Sequence, residues 1–498
     1  MLHIWGHNQT NRNNRSDSTR SGYASPPAAG TLSILRTYNS RLGGLSMARS
    51  LILLTAFFST LTGAQSLQTF AFRGVNVVPM DAERVLTDQT VVVAHGRIQT
   101  VGASADVRIP TDATVIEGTG RYLLPGLAEM HAHVPSVINR EYVEEVLFLY
   151  VANGITTARG MLGLPEHRTL RADLERHDVL GPRLITSGPS LRGDSVDSPA
   201  TARRMVTEQA NAGYDFIKLH PGLTRAEFDA AVAAAAEAGI QLAGHVSVDV
   251  GIGRALEAGQ ATIDHLDGYI QYLVPEDVDL SNRSVGFFGT GIVDLADEDR
   301  IEAAARATRE AGVWNVPTQS LIEHFGAPEP SAEELAARPE MAYVSQDTVQ
   351  QWVRNKQRVT GADGYSADAA RRLVEIRQRL IKALHDEGAG LLLGSDSPQV
   401  FNVPGFALHH ELRMMVAAGL SPYQAIRMGT ASPAVFFSAE GEFGRVSPGL
   451  AADLILADGN PLEDVGVLSR PVGVMVRGRW LDRAEIDEGL AEIAARYR

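Results

Sequence analysis

Residues 122–133 read YLLPGLAEMHAH, an apolar run that ends in two histidines one residue apart. In an extended strand, residues i and i+2 face the same side, so His131 and His133 can aim into one space. Two imidazoles on a shared face make a metal pincer, although an isolated His-X-His is weak evidence by itself. The rest of the chain gives it weight. Seven further apolar runs alternate with helical stretches: GITTARGM (154–161), PRLITSG (182–188), DFIKLH (215–220), QLAGHVS (241–247), TIDHL (262–266), VWNVPT (313–318) and GLLLGSDS (390–397). The stretches between them include RAEFDAAVAAAAEAG (225–239) and GIGRALEAG (251–259), Ala-rich amphipathic helices that stop at glycine. Such alternation builds a parallel sheet, and eight units make the α/β closed barrel, the (β/α)8 TIM barrel. An open doubly wound sheet would usually carry a glycine-rich phosphate loop after its first strand, and this chain has none.

Potential ligands recur near the ends of these runs. The fourth carries Lys218, the fifth His245, the sixth His265 and the eighth Asp396. The C-terminal strand ends form the catalytic face of this barrel. Each residue also has a structural reading. Lys218 could be an ion-paired buried lysine, His245 and His265 could be satisfied core histidines, and Asp396 could cap a helix. Their joint placement at one face favours metal ligation.

Both flanks differ from the middle. From Thr69 to about Glu117, and again over GRVSPGLAADLILADGNPLED (444–464) and VGVMVRGRWLD (472–482), short β-rich runs alternate with turn residues. The expectation is an antiparallel composite β-sandwich domain from residues 67–122 and 438–483, interrupted by a barrel over 123–437 and followed by a C-terminal helix over 484–498. Two barrel connections, Tyr269–Asp299 and Thr318–Gly390, are longer than a plain loop requires and suit a substrate lid. Residues 1–46 are rich in Arg, Asn, Ser and Gly without apolar period, which predicts disorder. Met47-Ala-Arg, the apolar run Leu51–Leu61 and the small residues up to Ala64 have the parts of a secretory signal peptide over 47–64, which places the mature protein in the periplasm or outside the cell. The alternative for that run is a buried helix.

A net charge of −14 argues against a nucleic-acid partner, because binding phosphates needs concentrated Lys and Arg. A small-molecule substrate fits better, with no membrane span in the mature form, and the sequence is compatible with a homo-oligomer. The absence of cysteine removes disulfides, zinc fingers, iron–sulfur clusters and thiol nucleophiles, so any metal must sit on His, Asp, Glu or a modified side chain.

The set PGLAEMHAHV, GITTAR, FIKLH, AGHVS, DHLDG and LLLGSDSP, followed by SPYQAIRMGTASPAVFF and GRVSPGLAADLILAD, resembles the amidohydrolase superfamily. More narrowly it is similar to the branch of imidazolonepropionase-like proteins and metal-dependent Xaa-Pro-type dipeptidases. The resemblance spans roughly Thr69 to Asp482 and implies two divalent metal ions, with zinc the expected occupant. On this reading His131, His133 and Asp396 hold the more buried ion, His245 and His265 hold the second, and a carboxylated Lys218 bridges them. One departure is Gly160 after Arg159, where many relatives carry an acidic residue.

The implied reaction is hydrolysis of an amide or peptide-like C–N bond, as in a dipeptide or N-acyl amino acid, by a metal-bridged hydroxide with Asp396 as proton shuttle. Tyr269 is the candidate oxyanion donor, and His220, Arg159 and His167 are candidate substrate contacts. The rival enzyme reading is a mononuclear cyclic-amide hydrolase or deaminase, which needs no bridging lysine. A barrel serving only as a binding or scaffold protein would be expected to have lost ligands, and none is missing here.

Overall fold

The computed structural model describes residues 68–281 and 283–498. The expected disordered leader (1–46) and signal peptide (47–64) lie outside the described residues. Among the described residues no helix is long and apolar enough to cross a membrane.

The stretch 122–133 proves to be two strands rather than one. Tyr122–Pro125 (β5) belongs to a sheet of the flanks, and Leu127–Ala132 (β6) begins the parallel strands. Gly126 makes the break, and a Cβ there would stand 2.2 Å from Thr156 Oγ1, so only glycine lets the chain pass between the two sheets at this point.

The flanking sheet also contains β1 (Phe70–Val77), β2 (Leu86–Ala94), β3 (Arg97–Ala103) and β4 (Thr114–Glu117) from before the break. The far end of the chain adds β14 (Leu454–Ala457), β15 (Gly473–Val476) and β16 (Arg479–Asp482). The strand order is β16-β15-β14-β5-β1-β2-β3, with β4 also on β1. The sheet is mixed rather than wholly antiparallel, because β4 and β5 both run parallel to β1. Alternate positions pack a core of Phe72, Val75, Val91, Ile98, Leu454 and Met475. Trp480 closes that core edge-on to Phe72, with ring centroids 5.2 Å apart.

The remaining strands are β6, β7 (Ile155–Gly160), β8 (Arg183–Thr186), β9 (Phe216–Leu219), β10 (Gln241–Gly244), β11 (Thr262–Asp264), β12 (Trp314–Val316) and β13 (Gly390–Leu391). They fall on the eight apolar runs of the sequence. All pair in parallel, as β6-β7-β8 and as β9-β10-β11-β12-β13. Isolated parallel bridges join the two sheets at both edges, Ser187 to Phe216 and Leu191 to Leu219 at one and Ala132 to Ser397 at the other. At the second edge Met130 N–H also donates to Leu393 O at 2.9 Å.

Helices follow the strands for local reasons. The one over Arg225–Ala238 opens with a reciprocal capping box between Thr224 and Glu227 and ends at left-handed Gly239. The 318–390 connection folds into helices at Gln319–Phe325, Ala332–Ala336, Gln346–Thr360 and Ala367–Asp386. The last of these buries Leu373, Ile376, Leu380 and Leu384, one apolar face at helical spacing, and so fixes the insertion against the strands. A final helix spans Arg483–Arg496.

Candidate metal centre

His131 and His133 leave the end of β6 on one side of the chain, as the i, i+2 spacing demands. Asp396 reaches the same point from the segment after β13, and the ligating atoms of these three residues all lie within 4.8 Å of one another. His133 Nε2 is 3.0 Å and His131 Nε2 is 3.5 Å from Asp396 Oδ1. Lys218, fully buried on β9, brings Nζ to 3.3 Å from His131 Nε2. His245 and His265 follow β10 and β11 directly. Ring centroids step from His133 to His131 at 5.5 Å, His131 to His265 at 4.6 Å, and His265 to His245 at 4.4 Å. His220 continues the row, 5.0 Å from His245. The structure thus gathers every residue proposed as a metal ligand, together with His220.

Close approach of the strands has a backbone cost. His265 and Asp396 both take positive φ, 62° in each case. Such conformations are uncommon for residues with a Cβ and are held only when surroundings enforce them. At Gly244, φ is +121°, and a Cβ would come within 2.8 Å of the Lys218 side chain, so glycine leaves the room that the lysine occupies.

The sequence reading missed the groups that orient the imidazoles. Asp264 Oδ2 stands 2.8 Å from His131 Nδ1, Asp267 Oδ2 is 2.7 Å from His245 Nδ1, and Thr318 Oγ1 is 2.7 Å from His265 Nδ1. At His245 and His265 the hydrogen-bonded Nδ1 leaves Nε2 to face inward, the arrangement typical of metal-bound histidines, whereas His131 Nδ1 lies close to the Asp264 carboxylate without a directed hydrogen bond. Glu129 lies two residues before His131 on β6, where its carboxylate accepts the N–H groups of His131 and Ser395, each at 2.9 Å. Burial pushes the Glu129 carboxyl up to about 8, against the opposing hydrogen bonds from Ser395 and His131. Its signal was present in the sequence, since Glu129 shares the parity of His131 and His133.

The electrostatics suit a cation. Burial alone would raise the Asp396 carboxyl, but the imidazoles of His131 and His133 outweigh it and hold the group below the usual carboxylate range. Burial lowers Lys218 from the ordinary ammonium value, which favours the neutral amine. It likewise holds His131, His265 and His220 well below the usual imidazole range. His133 Nε2, His265 Nε2 and Asp396 Oδ1 are buried without a directed hydrogen bond. Buried polar atoms are nearly always partnered, and a divalent ion bound by His and Asp would answer this deficit.

Three proposed residues lie elsewhere. Tyr269 is buried beside the strands, its hydroxyl 2.7 Å from Thr308 Oγ1 and 3.1 Å from Asn315 Oδ1. Left-handed His265, Leu266 and Gly268 turn the chain into a helix that starts at Tyr269, and this carries the phenol away from the metal side. His167 is held in the packing by Pro135 O at 3.1 Å and the Leu164 N–H at 3.3 Å. Arg159 points beneath the cluster. Its Nε donates to Met130 O at 2.8 Å, and Nη2 lies 3.3 Å from Asp264 Oδ1.

Residues 122–481 match the model of the Amidohydrolase family. Among curated relatives, an adenine deaminase of Ruegeria pomeroyi is 27% identical over 206 residues, covering 38% of this chain and 34% of that protein. Adenine deaminase 3 of Rhizobium meliloti is 24% identical over 426 residues, covering 82% of this chain. The chain spans 56% of the length of that relative. Among solved structures, a candidate prolidase from Bifidobacterium longum is 25% identical with a TM-score of 0.61, covering 86% of this chain and 99% of the other. The bottromycin amidohydrolase is 23% identical with a TM-score of 0.66, covering 86% and 90%, and shares the fold. With 360 of its 498 residues inside the family match, counted from 122 through 481, the chain belongs to the amidohydrolase family.

Proposed function

We propose that the chain is a metal-dependent hydrolase of amide or peptide-like C–N bonds in a small substrate such as a dipeptide or N-acyl amino acid. The observation that carries this reading is the meeting of His131, His133 and Asp396 with the buried amine of Lys218. The two parallel sheets, bridged at both edges, are read as one closed (β/α)8 barrel with these residues at its C-terminal mouth. Residues 47–64 support export to the periplasm or beyond.

His131, His133 and Asp396 would hold one divalent ion, and His245 with His265 a second. Lys218, carboxylated on Nζ, would bridge them, and its lowered basicity favours the neutral amine that reacts with carbon dioxide. Zinc suits the His-rich donors. When bound, such ions lower the pKa of water and polarise a carbonyl. Asp396, kept ionised, takes the proton of the attacking water at its carboxylate and delivers it to the departing nitrogen. Asp264, Asp267 and Thr318 hold the imidazole rings in register during turnover. His220, at the end of the histidine row, is the residue left in position for substrate contact.

A deaminase or cyclic-amide reading with one metal draws on the adenine deaminase relatives, yet it leaves Lys218 without a role. The test is metal content of protein purified with bicarbonate and zinc, alongside hydrolysis of Xaa-Pro and N-acyl substrates. About two ions per chain, reduced in Lys218→Ala together with hydrolysis, support the bridged centre. One ion per chain and an unaffected variant overturn it in favour of the mononuclear reading.

A further inference from the structure

Beneath the metal centre, at the opposite ends of the strands, lies a cavity of about 250 Å³ that the proposed hydrolysis does not use. Arg183 and Phe216, near the starts of β8 and β9, line it, with Arg159, Phe436 and Phe443. The Arg159 guanidinium is flanked by Phe216 and Phe436, with ring centroids 5.4 and 5.5 Å away. Arg183 lies over Phe443 at 5.4 Å. Two of the guanidinium N–H groups, Arg159 Nη1 and Arg183 Nε, are buried and have no hydrogen-bond partner among the described residues. Leaving such donors unpaired is costly, and charged donors cost more than neutral ones.

The acidic groups around the cavity are already engaged. Asp215 pairs with Arg171 at 2.6 Å, and Glu442 with Arg97 at 2.8 Å. Asp453 reaches Arg183 through Nη2 at 3.3 Å, which leaves Nε open. Aromatic walls with two unmet cationic donors recognise a flat apolar body carrying an acceptor with two oxygens. The volume is below that of a drug-sized pocket and limits the occupant to one small ring or a short chain.

We infer that this cavity is a second ligand site, distinct from the metal centre, that binds a small carboxylate with a flat apolar body between Arg159 and Arg183. The site lies one residue from the chemistry, because Arg159 also contacts Asp264, which holds His131. The inference does not depend on which bond the enzyme cleaves.

Benzoate is the probe, titrated calorimetrically into the full chain with zinc bound and again after metal removal by chelator. Saturable binding that survives metal removal is expected. Ala439→Trp and Gln241→Trp, each filling the lining from a residue outside the catalytic machinery, should weaken it at least about tenfold. Benzyl alcohol, of similar shape but neutral, should bind at least about tenfold more weakly. Binding lost with the metal would place benzoate at the histidine cluster and overturn the inference. No saturable binding, binding indifferent to both tryptophan variants, or equal affinity for benzyl alcohol would do the same. Since the readout is binding, failure here leaves the hydrolase reading untouched.

Discussion

Asp264 Oδ2 lies 2.8 Å from His131 Nδ1, while Asp264 Oδ1 lies 3.3 Å from Arg159 Nη2, so one buried carboxylate stands between an imidazole of the candidate metal centre and an arginine beneath it. Burial would raise this carboxyl, but Arg159 and Lys218 more than compensate and leave it below the usual range. The carboxylate is therefore charged beside the imidazole, and its attraction favours a protonated Nδ1 on its own side of the ring.

Replacing Asp264 by Asn keeps the shape and removes the charge. Outer partners of this kind typically contribute about 10–100-fold to metal affinity. Asp264→Asn should therefore bind zinc more weakly by about that factor in competition with a chromogenic chelator. Unchanged affinity would show that His131 is oriented by packing alone.

Tyr269 has a different expected signature. Its hydroxyl serves Thr308 and Asn315, so Tyr269→Phe should cost about 1 kcal/mol of stability and leave kcat within about twofold. A fall in kcat of a hundredfold with stability preserved would restore the oxyanion role expected from the sequence.

The eight strands were legible because each is a short apolar run bounded by turn residues, a pattern that survives without knowledge of tertiary contacts. The inward set His131, His133, Lys218, His245, His265 and Asp396 was legible for the same reason, since each stands at or just beyond the end of such a run. Orienting residues were harder to see. Asp264 and Thr318 touch histidines of other strands or loops, and nothing in local spacing announces those pairs. Arg159 and His167 resemble substrate contacts in the sequence, because a cation or imidazole near a strand end reads as functional. Burial turned both into structural partners, and Arg159 into the floor of the centre. Pro125-Gly126 is a turn signal, but the apolar residues on both sides of it make the run read as one strand, and so the break was missed.

Arg377 shows how the long insertion supports the site. From the helix Ala367–Asp386 its guanidinium donates to His265 O, to Pro317 O at 2.7 Å and to Gln319 Oε1 at 2.9 Å. These bonds pin the left-handed backbone at His265 and Thr318. Arg377→Met removes the donor to His265 O and Gln319 Oε1, while Pro317 O keeps the Thr318 hydroxyl, and should cost about 3 kcal/mol, with weaker zinc binding as well. Arg377→Lys should recover less than half of either loss, because an ammonium cannot reproduce the planar fork. Equal behaviour of Lys and Arg in urea unfolding and zinc titration would reduce the role of Arg377 to charge alone.

His409 predicts the acid limb of stability. It is buried away from the metal centre, with Nε2 donating to Asn153 O at 2.9 Å, and burial lowers its pKa from 6.5 to about 3. The folded state thus binds fewer protons here than the unfolded chain between those values. Stability from this group is complete above the unfolded value and is lost as pH falls toward the folded one, at up to about 1.4 kcal/mol per pH unit. Between pH 7 and pH 5 the loss amounts to about 2 kcal/mol. His409→Gln retains a donor for Asn153 O but does not titrate. Unfolding free energies from urea titrations at the two pH values should therefore converge in the variant by about that amount relative to the parent. Parallel acid sensitivity in both proteins would assign the limb to other buried histidines, those of the metal centre among them.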